Sequence, residues 1–305
     1  MSASLEFVQL SLTPLLIGSL AAIACALPGN FLVLRREALV SDAISHVVLP
    51  GIVAAFLLTG RVETVPMLLG AALAAVISVA LIEAIKRVGN VDPGAAMGVV
   101  FTTMFAAGVL LLELSDTSGV HLDVEHALMG NLESLIWLDA TGWGSLLDPK
   151  ALAGLPPELA RLAVVTGLVA AFVWLLWRPL AIATFDELFA SSVGIRTGLV
   201  SIGLVIASAL AAVAAFDAVG SILVIAMFIC PPAAARLMTD DLGLQVTWSL
   251  AFAVFSAVTG YMLAGYGPAL FGFASVSAAG MIATMSGIVL LGACLFGPRR
   301  RRISG

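Results

Sequence analysis

The chain has 305 residues, of which 61% are hydrophobic and only 11% charged, and its mean hydropathy is +1.13. Soluble domains carry about 25% charged residues, so a water-soluble globular fold is excluded. A net charge of −5, from 14 Lys+Arg against 19 Asp+Glu, is too small a bias to suggest a nucleic-acid partner.

The opening stretch, "MSASLEFVQLSL", lacks a basic segment, and the apolar run behind it continues too long for a cleaved signal peptide. A spanning helix needs about 20 mostly apolar residues. Runs of that length lie near 10–34, 38–59, 64–85, 93–113, 162–180, 198–216, 219–237, 244–264 and 269–295. The expected fold is all-α, a single polytopic membrane domain over residues 1–305 with about nine spanning helices. Lys and Arg set its orientation, because cytoplasmic loops near span ends are enriched in them. Arg35 and Arg36 follow the first span, Lys86 and Arg87 the third, Arg178 the fifth, Arg236 the seventh, and "PRRRR" (298–302) the ninth. Every other loop is therefore inside, with the N-terminus outside. Glu63, Asp116, Asp123, Glu125 and Glu158 fall on the opposite face, with Arg61 and Arg161 as exceptions.

Cys25, Cys230 and Cys294 sit far apart in apolar runs without a CxxC pair, and read as small packing residues. Residues 114–160 hold many charges, Gly and Pro and no clean span. They are expected to form an outer segment of amphipathic helices at the interface, with Trp137 and Trp143 in the headgroup layer. A re-entrant hairpin there would leave the orientation unchanged. No GxxxxGK[ST] phosphate loop occurs. The chain is thus not expected to be an enzyme, and any fuel it needs is used on another subunit.

The second span, "ALVSDAISHVVLPGIVAAFLL" (38–58), carries Asp42 and His46 in its middle. An Asp at the helix centre costs about 2.5–3.5 kcal/mol by insertion scales, so it is kept where something binds it. Counting from Arg36, Asp42 lies about 9 Å in and His46 about 15 Å. A spacing of four places both on one helix face, with Ser45 beside them. Carboxylate and imidazole together suit a divalent cation of the manganese-to-zinc series. Pro50 and Gly51 follow, and a Pro frees a backbone carbonyl one turn earlier. The plain alternative is an Asp42–His46 pair that only locks helix packing. Two ligands are too few for a metal site, so other helices must add more; Glu113, Asp217 and Met or Cys side chains are candidates.

Further on, "FDELFASSVGIRTGLV" (185–200) falls on the cytoplasmic side and reads as a short capped helix opening with Asp186 and Glu187 and closing near Gly194. In "FDAVGSILVIAMFICPPAAARLMTDDL" (216–242) the Pro231-Pro232 pair interrupts a spanning run, while Gly220 and Ala233–Ala235 allow close helix approach. A kinked packing helix and a broken helix beside a pathway fit this stretch equally well.

Taken in order, these stretches resemble the permease family of the ABC metal importers (ABC-3 type), which handle manganese, zinc or chelated iron. "LRREALVSDAISHVVLPGIVAAFLLTG" is similar to that family's second-span signature, and "AVGSILVIAMFICPPAAARLMTDDL" to its late Pro-containing span. "FDELFASSVGIRTG" is similar to its cytoplasmic coupling helix, and "VHLDVEHALMGNLE" (120–133) to its outer segment. The resemblance covers about residues 12–295. It implies one subunit of an importer in the cytoplasmic membrane of a bacterium, without a permanent cofactor. Its partners would be an identical or paralogous second permease, a pair of ABC ATPase subunits inside, a solute-binding protein outside, and membrane lipid. By position it implies Asp42 and His46 as transient metal ligands, and residues 186–197, with Asp186, Glu187 and Gly194, as the ATPase contact. Zinc-dedicated members are often His-rich, and this chain has three His, which favours manganese over zinc, with iron a further candidate.

Three rivals remain. An intramembrane metalloenzyme would need an HExxH or a general base beside the pair, and neither is present. A channel or an ion-coupled secondary carrier would need no ATPase, and a siderophore-type ABC permease would not need a carboxylate–imidazole pair at mid-depth.

Overall fold

The computed structural model describes residues 3–60, 64–114, 130–267 and 276–298, with the side chains of Asp42, Ser45, His46 and Asp217 among those outside the described set. Described residues form helices and turns only. A short helix α1 (Ala3–Leu10), which the apolar pattern does not announce, precedes the first span α2 (Leu12–Leu34). Then come α3 (Leu39–Thr59), α4 (Thr64–Gly89) and α5 (Pro93–Leu114). The four-residue α6 (Pro149–Leu152) leads into α7 (Pro157–Leu175), α8 (Trp177–Phe185) and α9 (Glu187–Ser192). Last are α10 (Thr197–Met238), α11 (Leu242–Tyr266) and α12 (Ala278–Phe296).

Eight helical stretches are long and apolar enough to cross a membrane, with α10 contributing two, Thr197–Phe216 and Ala218–Met238. With the 21-residue α3, nine helical stretches of spanning length lie among the described residues, consistent with the about nine expected. Two boundaries and one break differ from expectation. The last span starts at Ala278, after the Ser277 cap, rather than at 269. The fifth span runs Pro157–Leu175 rather than 162–180, because the backbone leaves helical geometry at Leu176 before α8 starts. Within α10, the break falls at Gly220 and not at Pro231-Pro232, through which the helix continues. Gly220 has φ 76° and ψ 168°, a region almost closed to residues with a Cβ.

The centre of the bundle is the crossing of α2 and α10. Lipid tails are as apolar as leucine, so spanning helices are held by close packing rather than by escape from water. Small residues permit that approach. A methyl at Gly29 of α2 would run into the Phe228 backbone of α10, and one at Gly260 of α11 would lie 2.5 Å from the Cα of Ile282 on α12. Helices α4 and α5 attach to this centre chiefly through α3.

Of the outer segment expected to form interfacial amphipathic helices over 114–160, residues 115–129 lie outside the described set. Its described part, 130–156, is a chain of turns with the short α6, including 3-10 turns at Leu132–Ser134 and Trp143–Leu147. Trp137 is fully buried and donates its indole N–H to the Ala151 carbonyl at 2.8 Å. It packs with Val8, Ala140 and Ala151 in a small cluster over α1, while Trp143 stays half exposed and stacks on Phe7. The cysteines are free; Cys25 is buried as expected, whereas Cys294 is exposed rather than packed.

Candidate functional site

Helix α3 is continuous through Pro50 and Gly51. The pair therefore does not open the helix here; it packs it. A methyl at Gly51 would lie 2.5 Å from the Gly70 carbonyl oxygen on α4, and one at Gly108 of α5 would lie 2.7 Å from the Pro50 Cβ. Val40, Ala43, Val47 and Pro50, spaced three, four and three apart, form one buried stripe. Ile52 packs against Ala71 of α4 with Val213 and Phe216 of α10, directly before Asp217 and the Gly220 break. The α3 backbone thus puts positions 42 and 46 one turn apart, within the half of α3 that shares the main core with Ala96, Met97 and Val100 of α5. Among the described residues, no three His, Cys, Asp or Glu side chains come together as a metal site. All three His side chains lie outside that set, and Glu113 is exposed at the end of α5.

At the outer end, Gly130 lies against the Val219 and Gly220 backbone, so the turn-rich segment sits on the break in α10. Three residues later Glu133 accepts the backbone N–H of Ala278, the first residue of α12. A carboxylate is favoured there by the unpaired amides and dipole of the helix start. Neither Gly130 nor Glu133 stands out in the sequence, since both act through residues more than 80 positions away.

At the end of the bundle that the Lys and Arg pattern assigns to the cytoplasm, α9 is a six-residue helix whose N-cap Asp186 accepts the Phe189 N–H at 2.8 Å. Gly194, at φ 85°, ends it in left-handed geometry. Its surface is unusually apolar: Leu188 is 84% exposed, with Phe185, Phe189 and Val193 more than half exposed. Arg35, at the end of α2, donates Nε–H to Thr184 Oγ1 at 3.1 Å and Nη1–H to Ser201 Oγ at 2.8 Å. Burial pulls the Arg35 guanidinium below its ordinary pKa, and the carboxylates of Glu37 and Glu187 oppose that shift. The sequence marks Arg35 only as an inner-face charge; the distant hydroxyls that bind it are visible only in the fold.

These same-end contacts follow the alternation of loops read from Lys and Arg. The ends of α2 and α8 and the start of α10 meet at one face. Residues 130–140 meet the end of α1, the start of α12 and the α10 break at the other.

The profile of one family of known proteins, the ABC 3 transport family, matches residues 7–139 and 151–297. The chain belongs to that family. It is 40% identical over 281 residues to the manganese transport system membrane protein MntD of Bacillus subtilis, covering 92% of this chain and 90% of the relative. It is 37% identical over 284 residues to the zinc transport system membrane protein TroD of Treponema pallidum, covering 93% and 73%. Among solved structures, PsaBC from Streptococcus pneumoniae in complex with Fab superimposes with a TM-score of 0.76 at 25% identity, over 96% of this chain and 93% of that one. An ABC 3 protein is a membrane permease component, and the nine spans make this one a multi-pass membrane protein. The family match spans the second-span pair, α9 and the α10 break alike.

Proposed function

We propose that this chain is the permease of a bacterial ABC importer for manganese or zinc ions, with iron a further candidate, in the cytoplasmic membrane. The observation that carries the reading is the 40% identity to a manganese transport membrane protein along almost the whole of both chains. The partners are a second permease, identical or paralogous, an ATPase pair inside and a solute-binding protein outside. Helix α9 supports the ATPase assignment. A six-residue helix with Leu188 and Phe189 turned outward, flanked by the exposed Phe185 and Val193, is suited to burial in a partner's groove.

The transport chemistry follows from electrostatics. A dication stripped of water in a low-dielectric core is too costly to move, so protein ligands must replace its hydration shell. Asp42 would supply charge and an oxygen ligand, and His46 a neutral imidazole. Ligation needs His46 unprotonated, so uptake falls as the pH is lowered through the imidazole range. Site affinity has to remain modest, because the ion must leave on the inner side. The chain carries no phosphate-binding loop, and the work is delivered through residues 186–197 when the ATPase pair closes on nucleotide.

The test is uptake and ATP hydrolysis in proteoliposomes holding the permease, ATPase and binding protein, with manganese, zinc and iron compared. Metal-stimulated hydrolysis with accumulation of manganese or zinc is expected. Accumulation that proceeds without the ATPase would overturn the reading in favour of a secondary carrier.

A further inference from the structure

We propose that Arg35 is the positioning residue that carries movement of the 186–197 segment to α3. The inference rests on the importer reading above and concerns how its two halves are joined.

The guanidinium grips both ends of the proposed coupling segment at once. Thr184 lies two residues before the α9 cap Asp186, and Ser201 lies in the second turn of α10, just beyond Gly194 and Arg196. Between those anchors α9 is seated by the fully buried Ala190 and by packing against α8, while Leu188 and Phe189 face outward, so the two hydroxyls tie the ends of a segment that is otherwise held on one side. On its other side Arg35 belongs to a tight reversal. Arg36 N–H donates to the Val33 carbonyl and Glu37 N–H to the Leu32 carbonyl, with Arg36 at φ 60°. That paired bonding pattern closes α2 and fixes the direction in which α3 departs. Position 42 follows one turn into α3 and position 46 one turn later. A displacement of α9 is thus delivered through one rigid, planar group to the foot of the helix bearing the proposed ligands.

Two features suit the group to switching as well as bracing. The Arg35 Nη2 is buried with no hydrogen-bond partner. A buried orphan donor is unfavourable, and Glu37 and Glu187 are the charged acceptors close enough to influence the same guanidinium. The unmet Nη2 leaves a donor to which a second arrangement of the guanidinium could turn. Lysine cannot replace the fork, because a point ammonium does not hold two hydroxyls in fixed relative geometry.

The experiment uses the permease assembled with its ATPase subunits and binding protein in proteoliposomes, with Mn2+ as the probe. The ratio of Mn2+ imported to ATP hydrolysed is measured for wild type, the double variant T184A/S201A, R35K, and the double variant T184S/S201T. T184A/S201A and R35K are expected to lower that ratio at least tenfold while hydrolysis and complex assembly stay near wild type and the complex, though lowered in melting temperature by the lost bonds, remains folded at the assay temperature. T184S/S201T keeps both hydroxyls and is expected to restore the ratio. An unchanged ratio in T184A/S201A and R35K overturns the proposal, and so does a loss that follows unfolding or release of the ATPase. Failure of the wild-type complex to import Mn2+ or Zn2+ would instead count against the importer reading itself.

Discussion

Gly51 of α3 and Gly70 of α4 face each other so closely that neither position has room for a methyl group: a Cβ on Gly51 would lie 2.5 Å from the Gly70 carbonyl oxygen. The neighbouring Pro50 meets Gly108 of α5 in the same way. The Pro-Gly step thus holds α3 between two other helices, and the proposed ion ligands precede that fixed point by one and two turns.

Packing at this crossing should be intolerant of a single methyl. Gly51→Ala and Gly70→Ala are each expected to cost about 1–3 kcal/mol, seen as a lowered melting temperature in detergent. Gly98→Ala on α5, where nothing lies within 4 Å of an added Cβ, should leave the melting temperature unchanged or slightly raised. Equal behaviour of the three variants would mean that α3 and α4 are not in this contact.

The Glu133 carboxylate should contribute to the outer end of the bundle as a helix cap. Glu133→Ala removes the acceptor for the Ala278 N–H and is expected to cost about 1 kcal/mol. Glu133→Gln, which keeps an acceptor oxygen without the charge, should recover part of the loss. Thermal unfolding of the three forms side by side checks this.

Orientation is open to a direct chemical test. Asn90 is exposed beyond α4 and Leu147 is 89% exposed in the outer turns. Single cysteines at these positions, in a background lacking Cys25, Cys230 and Cys294, should react with an impermeant maleimide from opposite sides of the membrane. Asn90→Cys is expected to label from the inside and Leu147→Cys from the outside. Reaction of both from one side contradicts the topology.

The spans were legible because the bilayer imposes a length of about 20 apolar residues; their orientation is an expectation from the inside bias of Lys and Arg, which the labelling above tests. The α9 helix was legible too, since Asp186 and Gly194 are local signals for a start and a stop. What escaped reading depends on distant partners. Pro50 and Pro231-Pro232 look like breaks in isolation, yet those helices continue through them, while the break occurs at Gly220 beneath Gly130. Trp137 looks like an interface residue, and becomes buried because Val8, Ala140 and Ala151 close around it. Arg35 reads as an inner-face charge until Thr184 and Ser201, 149 and 166 positions away, are brought to it.

The apolar face of α9 should matter for assembly and not for folding. Leu188→Asp and Phe189→Asp change exposed positions, where substitutions usually shift stability by no more than about 0.5 kcal/mol. Both are expected to weaken co-purification of the ATPase subunits and to reduce transport with the melting temperature unchanged. Full co-purification and full uptake would make residues 186–197 an ordinary loop.

The central claim is that Asp42 and His46 remain in the membrane because they contact the transported ion. It is tested most directly by Mn2+ uptake measured against thermal stability in the same preparations of wild type, Asp42→Asn and His46→Ala. Asp42→Asn keeps the shape and hydrogen-bonding capacity of the side chain and removes its charge. Uptake should therefore fall at least tenfold in both variants while expression and melting temperature stay near wild type. Normal uptake by Asp42→Asn, or a loss of uptake matched by unfolding as expected when one partner of a buried pair is removed, would contradict the account.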